Sequence, residues 1–171
     1  DTSPEELRFF YGSHGKLCLA AEPGGLGLGF NVSHSSGLGL YAVARGRQVG
    51  IDLEHIHPIP ELQHLVKRYF SSEEQADFRA LPSDKQLEAF FRCWTRKEAF
   101  TKANGEGLSL ALDRLEVSLD PDEPARLLRV EGDAREASRW SLRELWPAHG
   151  YVGALAAEGC DFHLSCWRWT G

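Results

Sequence analysis

One long helical segment stands out in this sequence: residues 83–105 read SDKQLEAFFRCWTRKEAFTKANG. Ser83 followed three positions later by Gln86 fits a capping box, which marks the start of a helix. Asn104-Gly105 is typical of a helix end, because glycine adopts the left-handed conformation at low cost. We therefore predict one continuous helix between these two signals.

Four residues of this helix share one face, because Phe91, Trp94, Glu98 and Lys102 recur at spacings of three, four and four. Glu98 and Lys102 are one turn apart, about 6 Å along the axis, and an exposed ion pair would show the same spacing. The stripe begins with large aromatic residues that should be buried, so we expect Glu98 and Lys102 at the rim of the core. An acid in that position can act as a base or bind a metal ion.

Two more acids lie upstream, in the segment Gly50-Ile51-Asp52-Leu53-Glu54. Strand alternation puts Asp52 and Glu54 on one face, about 7 Å apart, and turns Val49, Ile51 and Leu53 towards the core. Carboxylates this close repel each other unless a cation or a proton separates them, and oxygen ligands suit Mg²⁺. An ordinary solvated strand face would carry the same pattern. Together with Glu98 and Lys102, however, these acids favour chemistry on a polyphosphate.

The rest of the chain predicts an α+β fold, in which an antiparallel sheet packs against helices. Helices are predicted over Pro60–Phe70 and from a second capping box at Ser71–Gln75. Hydrophobic runs between turn residues predict the following strands: Leu38–Ala44 and Gln48–Leu53, joined by a turn at Arg45–Arg47, then Arg114–Leu119, Leu127–Val130, Trp140–Leu145, Tyr151–Ala157 and His163–Trp169. We interpret residues 1–171 as a single domain.

Composition limits the classes of partner. The net charge is −6, which argues against general binding to nucleic acid, so a phosphate-rich ligand needs a local basic cluster. Two such clusters are possible: Arg92, Arg96, Lys97 and Lys102, or Lys67 and Arg68. No apolar run is long enough to span a membrane. The four cysteines form no CxxC pair, and this predicts reduced thiols in a cytoplasmic protein.

Three polar segments remain. His34 lies in Phe30–Ser36, a polar segment entering a strand, and its flanking serines could bind phosphate oxygens, although a structural histidine is common. The Gly-rich segment Pro23–Gly29 fails the GxGxxG spacing and is interpreted as a loop. His55 and His57 have no third ligand nearby, so we favour a solvated loop over a zinc site.

The residues above resemble the 4′-phosphopantetheinyl transferases, specifically the surfactin-synthetase-activating (Sfp-like) type. Four blocks carry the resemblance, in order along the chain: Gly15-Lys16, Phe30 to Ser35, Val49 to Glu54, and Phe91 to Lys102 followed by Gly105 to Ser109. The segment Lys67 to Ser71 with Glu74 is also similar to the family, and the resemblance covers residues 15–109.

The resemblance implies an enzyme, a holo-[acyl-carrier-protein] synthase or 4′-phosphopantetheinyl transferase. Such an enzyme moves the phosphopantetheine arm of coenzyme A to a serine hydroxyl of an apo acyl or peptidyl carrier protein. It releases adenosine 3′,5′-bisphosphate and serves fatty acid, polyketide or nonribosomal peptide biosynthesis. A non-catalytic module that binds carrier protein or coenzyme A is the alternative, and a metal-dependent nucleotide hydrolase is a third hypothesis.

The same resemblance implies roles for single residues. Asp52, Glu54 and Glu98 would hold Mg²⁺, and Glu98 would also deprotonate the carrier serine. Lys102 and His34 complete the predicted catalytic set. Coenzyme A would be bound by five residues: Lys16, Ser33, His34, Lys97 and Lys102.

One departure from the family concerns its larger members, which contain two similar halves with coenzyme A at their junction. Only about fifteen residues precede Lys16, so we interpret this chain as corresponding mainly to the C-terminal half, with most of the N-terminal half missing.

Overall fold

The computed structural model describes residues 3–12, 15–20, 27–105 and 110–169. Most of the predicted Gly-rich loop and residues 106–109 of the last family block lie outside the described residues. Within them the chain forms a mixed α+β structure, which confirms the predicted fold class. All its paired strands are antiparallel.

The elements follow one another in this order: β1 Phe9–Tyr11, β2 Leu17–Leu19, β3 Leu28–Ser35, β4 Leu38–Arg45, β5 Val49–His55, α1 Leu62–Tyr69, α2 Ser72–Ala80, α3 Ser83–Asn104, β6 Leu115–Val117, β7 Leu127–Val130, α4 Ala134–Ala137, β8 Trp140–Leu145 and β9 Tyr151–Glu158. Short 3₁₀ turns lie at Pro4–Glu6 and Leu112–Arg114. None of the helices among the described residues is long and apolar enough to cross a membrane.

The central sheet has three strands in the order β5-β9-β8, and α3 packs against it. Helix α3 is 22 residues long and ends at Gly105, whose φ of 79° is left-handed, as the sequence predicts. The predicted capping box at Ser83 is wrong: Ser83 is already helical, Pro82 is the N-cap residue, and no side chain caps the helix. The capping box of α2 is confirmed, with Ser71 and Glu74 exchanging hydrogen bonds.

Strand β5 is buried on both faces. Val49 and Ile51 belong to a small apolar cluster with Ala42, Leu155 and Ala157, whereas Gly50 and Asp52 face α3. A side chain at Gly50 would collide with the backbone of α3 at Ala99 and Ala103. Glycine therefore lets the helix lie directly on the strand, and this contact brings the strand acids beside the helix residues.

One prediction about strands is confirmed and another is wrong. The predicted strands before and after Arg45–Arg47 both exist, as β4 and β5, and each pairs with a different strand: β4 with β3, and β5 with β9. The β3–β4 turn consists of Ser36 and Gly37, both with positive φ, which suits a tight hairpin. The segment His163–Trp169 forms no strand, because no neighbouring strand among the described residues pairs with it, although Phe162 and Leu164 pack on the small apolar cluster.

Candidate active site

Three elements meet around one open cleft of about 360 Å³. Strand β3 contributes two polar residues, β5 two acids, and α3 an acid and a lysine. The residues that line the cleft are Val32, Ser33, His34, Asp52, Leu53, Glu54, Trp94, Glu98 and Lys102. Residues from β5 and α3 that are more than forty positions apart in sequence therefore face the same space, as the sequence predicts for Asp52 and Glu98.

Asp52 lies at the bottom of the cleft and is only 5% exposed. Its Oδ1 accepts hydrogen bonds from Lys102 Nζ at 2.6 Å and from Ser33 Oγ at 3.0 Å. Its Oδ2 is buried and has no hydrogen-bond partner among the described residues. An unpartnered carboxylate oxygen in the interior is costly, so it marks a place where a further ligand would be stabilising.

The other two acids of the cleft hold their protons more tightly than ordinary glutamates. Burial raises the pKa of Glu54 and, as the second cause, so does the charge of Asp52. Burial likewise raises the pKa of Glu98, followed by the charge of Asp52, while Lys102 acts in the opposite direction. Among the described residues that line the cleft, three carboxylates share the space with the ammonium group of Lys102, and an added cation would relieve the repulsion between the carboxylates.

The donor set fits a divalent cation in its chemistry. Carboxylate oxygens are the ligands that Mg²⁺ prefers. Lys102 pairs with Oδ1 of Asp52, and within residues 3–12, 15–20, 27–105 and 110–169 nothing hydrogen-bonds to its Oδ2. In the part of the chain that the structure describes, no three His, Cys, Asp or Glu side chains already stand close enough together to hold a metal ion. The predicted trio of Asp52, Glu54 and Glu98 lines the same cleft.

Ser33 and Lys102 form one hydrogen-bonded unit with Asp52. Lys102 Nζ donates to Ser33 Oγ at 3.2 Å as well as to Asp52. His34, the next residue of β3, is exposed at the edge of the cleft. Its ring is therefore accessible to a ligand that enters from solvent.

Comparison with known proteins places the chain in a family. Residues 48–156 match the model of the 4′-phosphopantetheinyl transferase superfamily. The 4′-phosphopantetheinyl transferase HetI of Nostoc sp. is 40% identical over 166 residues, which cover 97% of this chain and 67% of that protein. The chain belongs to the 4′-phosphopantetheinyl transferase superfamily. This confirms the 4′-phosphopantetheinyl transferase family that the sequence predicts.

Other relatives extend the comparison. The 4′-phosphopantetheinyl transferase Sfp of Bacillus subtilis is 37% identical over 117 residues, covering 68% of this chain and 50% of that protein. The chain spans between half and two thirds of the length of these curated relatives. A solved structure, the Thermotoga maritima holo-[acyl-carrier-protein] synthase, matches with a TM-score of 0.51 at 20% identity, covering 67% of this chain and 64% of that chain. This last likeness concerns the fold alone.

Two lysines predicted to bind coenzyme A do not line the cleft of this superfamily member. Lys97 is 1% exposed and forms an ion pair with Glu74 at 2.5 Å. It also donates to the carbonyl oxygens of Tyr69 and Leu112, at 2.9 and 2.7 Å. Its ammonium group is fully occupied in the interior, so the placement of Lys97 contradicts a role in binding the coenzyme.

Lys16 is the other lysine outside the cleft. Its Nζ donates to Ala103 O at 2.9 Å, and to Val49 O and Gln48 Oε1 at 3.1 Å each. Burial lowers the pKa of Lys16. Lys16 therefore joins the N-terminal hairpin to the end of α3 and the start of β5, and the coenzyme-binding prediction is not supported by its position.

The predicted basic cluster on α3 is also wrong for two arginines. Arg92 Nε and a terminal nitrogen of Arg96 each lie 2.7 Å from Glu144 Oε1 on β8. These guanidinium groups connect the helix to the sheet, and neither lines the cleft. Lys102 is the member of this cluster that does line it.

Sequence reasoning missed the partners of Asn31 and Ser35. The side-chain oxygen of Asn31 accepts from Ile51 N at 2.9 Å, and Ser35 Oγ accepts from His55 N at 3.1 Å. The signal that could have found them is the alternation Asn31-x-Ser33-x-Ser35, which matches the period of the neighbouring strand.

Proposed function

We propose that this chain transfers the 4′-phosphopantetheine arm of coenzyme A to a serine hydroxyl of an apo acyl or peptidyl carrier protein. The released product is adenosine 3′,5′-bisphosphate. The observation that carries the proposal is the single cleft in which Asp52, Glu54, Glu98 and Lys102 face one another. Membership of the transferase superfamily supports it.

Glu98 is the group we assign as general base. Its carboxylate takes the proton of the carrier serine, and the serine oxygen forms a bond to the phosphorus of the phosphopantetheine phosphate. The bond from this phosphorus to the oxygen shared with the nucleotide breaks, and its electron pair leaves with adenosine 3′,5′-bisphosphate. Without a bound cation, burial and the charge of Asp52 raise the pKa of Glu98, and a carboxylate with a raised pKa accepts a proton more readily than an ordinary one.

Asp52, Glu54 and Glu98 are the residues that would hold Mg²⁺, and Asp52 Oδ2 is an oxygen that no described residue engages. When bound, the ion would neutralise negative charge on the pyrophosphate and on the leaving group. Lys102 already engages Asp52 Oδ1 and thereby orients the carboxylate. These assignments rest on donor chemistry and burial.

The remaining polar residues of the cleft would bind the phosphates. Lys102 contributes a positive charge, and its side chain is 31% exposed. His34 brings an exposed ring, and Ser33 a hydroxyl beside Lys102. Ammonium, imidazole and hydroxyl groups are donors suited to phosphate oxygens.

We also propose the surfactin-synthetase-activating type, with residues 1–171 acting as one domain that corresponds mainly to the C-terminal half of the larger enzymes. The 37% identity to Sfp and the His34 block support this type. All four cysteines are free thiols, which supports a reducing, cytoplasmic location.

Mass spectrometry of a carrier protein tests the proposal. The protein is incubated with coenzyme A, Mg²⁺ and an apo carrier, and the carrier should gain the mass of the phosphopantetheine arm. Calorimetric binding of coenzyme A without any mass gain would support a binding module instead. Phosphate release from coenzyme A without a carrier would point to a hydrolase.

Glu98→Gln should abolish transfer while the fold is retained. Glutamine keeps the shape of the side chain but accepts no proton, so we expect the rate to fall on the order of a hundred- to ten-thousandfold. Single-turnover transfer measures the rate, and circular dichroism checks the fold. Glu88→Gln is the matched control, because Glu88 is exposed on the same helix and lies outside the cleft. A near-normal rate in Glu98→Gln would refute the assignment of the base.

A further inference from the structure

Strands β3 and β5 lie side by side but are connected through side chains. Three alternate amides of β5, at Ile51, Leu53 and His55, donate to side-chain oxygens of β3. The acceptors are Asn31, Ser33 and Ser35, one per step of the strand. Interposed side chains hold two strands further apart than the roughly 4.8 Å of a backbone ladder. Both strands line the cleft.

The hydroxyl protons of both serines can be assigned from this geometry. Ser35 Oγ accepts from His55 N at 3.1 Å, and an amide nitrogen offers no lone pair in return. Glu54 must be ionised to bind a cation, and in that state Ser35 donates its proton to Glu54 Oε2, 3.2 Å away. Ser33, two residues earlier on β3, accepts from Leu53 N and donates to Asp52 Oδ1 in the same way. It also accepts from Lys102 Nζ.

We propose that Ser35 is a positioning residue that holds the Glu54 carboxylate in the cleft for cation binding. The inference rests on the proposed function, in which Glu54 is a ligand of the divalent ion. Glu54 is half-buried at the end of β5, where a glutamate has several rotatable bonds to restrain. A hydrogen bond from a hydroxyl that is itself fixed by a backbone amide reduces that freedom before the ion arrives.

The arrangement also connects the two sides of the cleft. Ser35 belongs to the same strand as His34, and Glu54 belongs to the same strand as Asp52. The hydrogen bond between Ser35 and Glu54 therefore connects β3, which carries His34, to β5, which carries the two acids. Loss of the hydroxyl should weaken cation binding more than it lowers the rate at saturating cation.

The test compares Ser35→Ala with Ser35→Thr and with Ser141→Ala. Threonine keeps the hydroxyl and suits a strand. Ser141 is the matched control. It is a half-buried serine on strand β8, it lies outside the cleft, and its hydroxyl donates a hydrogen bond to Gly159 O at 2.9 Å. Two quantities are measured for each variant: the half-saturating Mg²⁺ concentration for transfer, and Mn²⁺ binding by paramagnetic resonance with coenzyme A but no carrier.

Ser35→Ala should raise the half-saturating Mg²⁺ concentration and the Mn²⁺ dissociation constant about tenfold, as expected for a group that orients a metal ligand. The rate at saturating Mg²⁺ should change less, Ser35→Thr should restore most of the affinity, and Ser141→Ala should leave both constants unchanged. Unchanged cation affinity in Ser35→Ala, with a wild type that transfers normally, would overturn the inference. If the wild type neither transfers the arm nor binds Mn²⁺, the proposed function fails, and the inference falls with it.

Discussion

At the scale of single residues, the helix that carries the candidate base also carries a buried cation that serves the fold. Lys97 on α3 and Glu74 on α2 are both 1% exposed, and Lys97 Nζ lies 2.5 Å from Glu74 Oε2. Glu74 additionally accepts the amide of Val117 at 2.8 Å. Removing one partner of such a pair is costly, because it leaves a buried charge without compensation.

Lys97→Met tests this role. We expect the free energy of unfolding at about pH 7 to fall by roughly 3–5 kcal/mol, because the Glu74 carboxylate loses its cation and two carbonyl oxygens lose their donor. Denaturant unfolding measures the change. Arg126→Met is the matched control: its ion pair with Glu123 has a similar length, 2.6 Å, but both groups are half exposed, so the loss should stay below about 1 kcal/mol.

The pH dependence of the same variant follows from the pKa of Glu74. Burial raises this pKa, while Lys97 lowers it, so removing Lys97 raises it further. Between the ordinary pKa of glutamate and the raised one, the folded state holds a proton that the unfolded state has lost, and stability therefore falls as pH rises. The deficit of Lys97→Met should thus be smaller at about pH 5 than at about pH 7. A deficit that is equal at both pH values would contradict the coupling.

At the scale of elements, the contact between β5 and α3 determines whether the site exists. Gly50 faces the helix backbone, and a Cβ built there would lie 2.8 Å from Ala103 Cα and closer still to Ala99 O and Ala103 N. All three of those atoms belong to the main chain, which cannot turn aside as a side chain can. The helix and the strand must separate to admit a methyl group.

Gly50→Ala should therefore damage stability and catalysis together. We expect a loss of about 1–3 kcal/mol or more from overpacking, and a fall in rate of about a hundredfold from displacing Asp52 relative to Glu98. Thermal unfolding and transfer kinetics at a temperature where the variant is folded measure the two effects. Gly12→Ala is the control, since the nearest atom to its added methyl is Lys16 O at 3.5 Å, and its stability should change by less than about 1 kcal/mol. Wild-type kinetics in Gly50→Ala would show that the close approach is unimportant.

At the scale of the whole molecule, the described residues divide into a rigid centre and an exposed edge. Strand β9 lies between β5 and β8, and its residues Val152, Ala154 and Ala156 have no exposed surface. Among the described strands, β1 and β2 pair only with each other, and Phe9, Phe10 and Tyr11 are 54, 51 and 75% exposed. Regions with few buried contacts open locally at a small fraction of the global free energy.

Hydrogen exchange should separate these two regions. Amides of Val152–Ala157 should exchange only through global unfolding, whereas those of Phe9–Tyr11 should exchange through local opening, faster by several orders of magnitude. Mass spectrometry of peptide fragments after timed exchange measures both in one sample. Equal protection of the two segments would contradict the division, and the amides of β8 provide the internal reference for the central sheet.

The sequence alone determined the features that depend on neighbouring residues. Helix α3 and its end at Gly105 follow from local spacing and backbone preference, as does the sharing of one strand face by Asp52 and Glu54. The same features led to the correct family. Tertiary structure decided which strands pair, β4 with β3 and β5 with β9. It also decided the structural roles of Lys97 and Lys16. The sequence around a lysine is the same whether its ammonium group binds a ligand or pairs with a buried carboxylate. Which of the two occurs depends on the segment, distant in sequence, that packs beside the lysine.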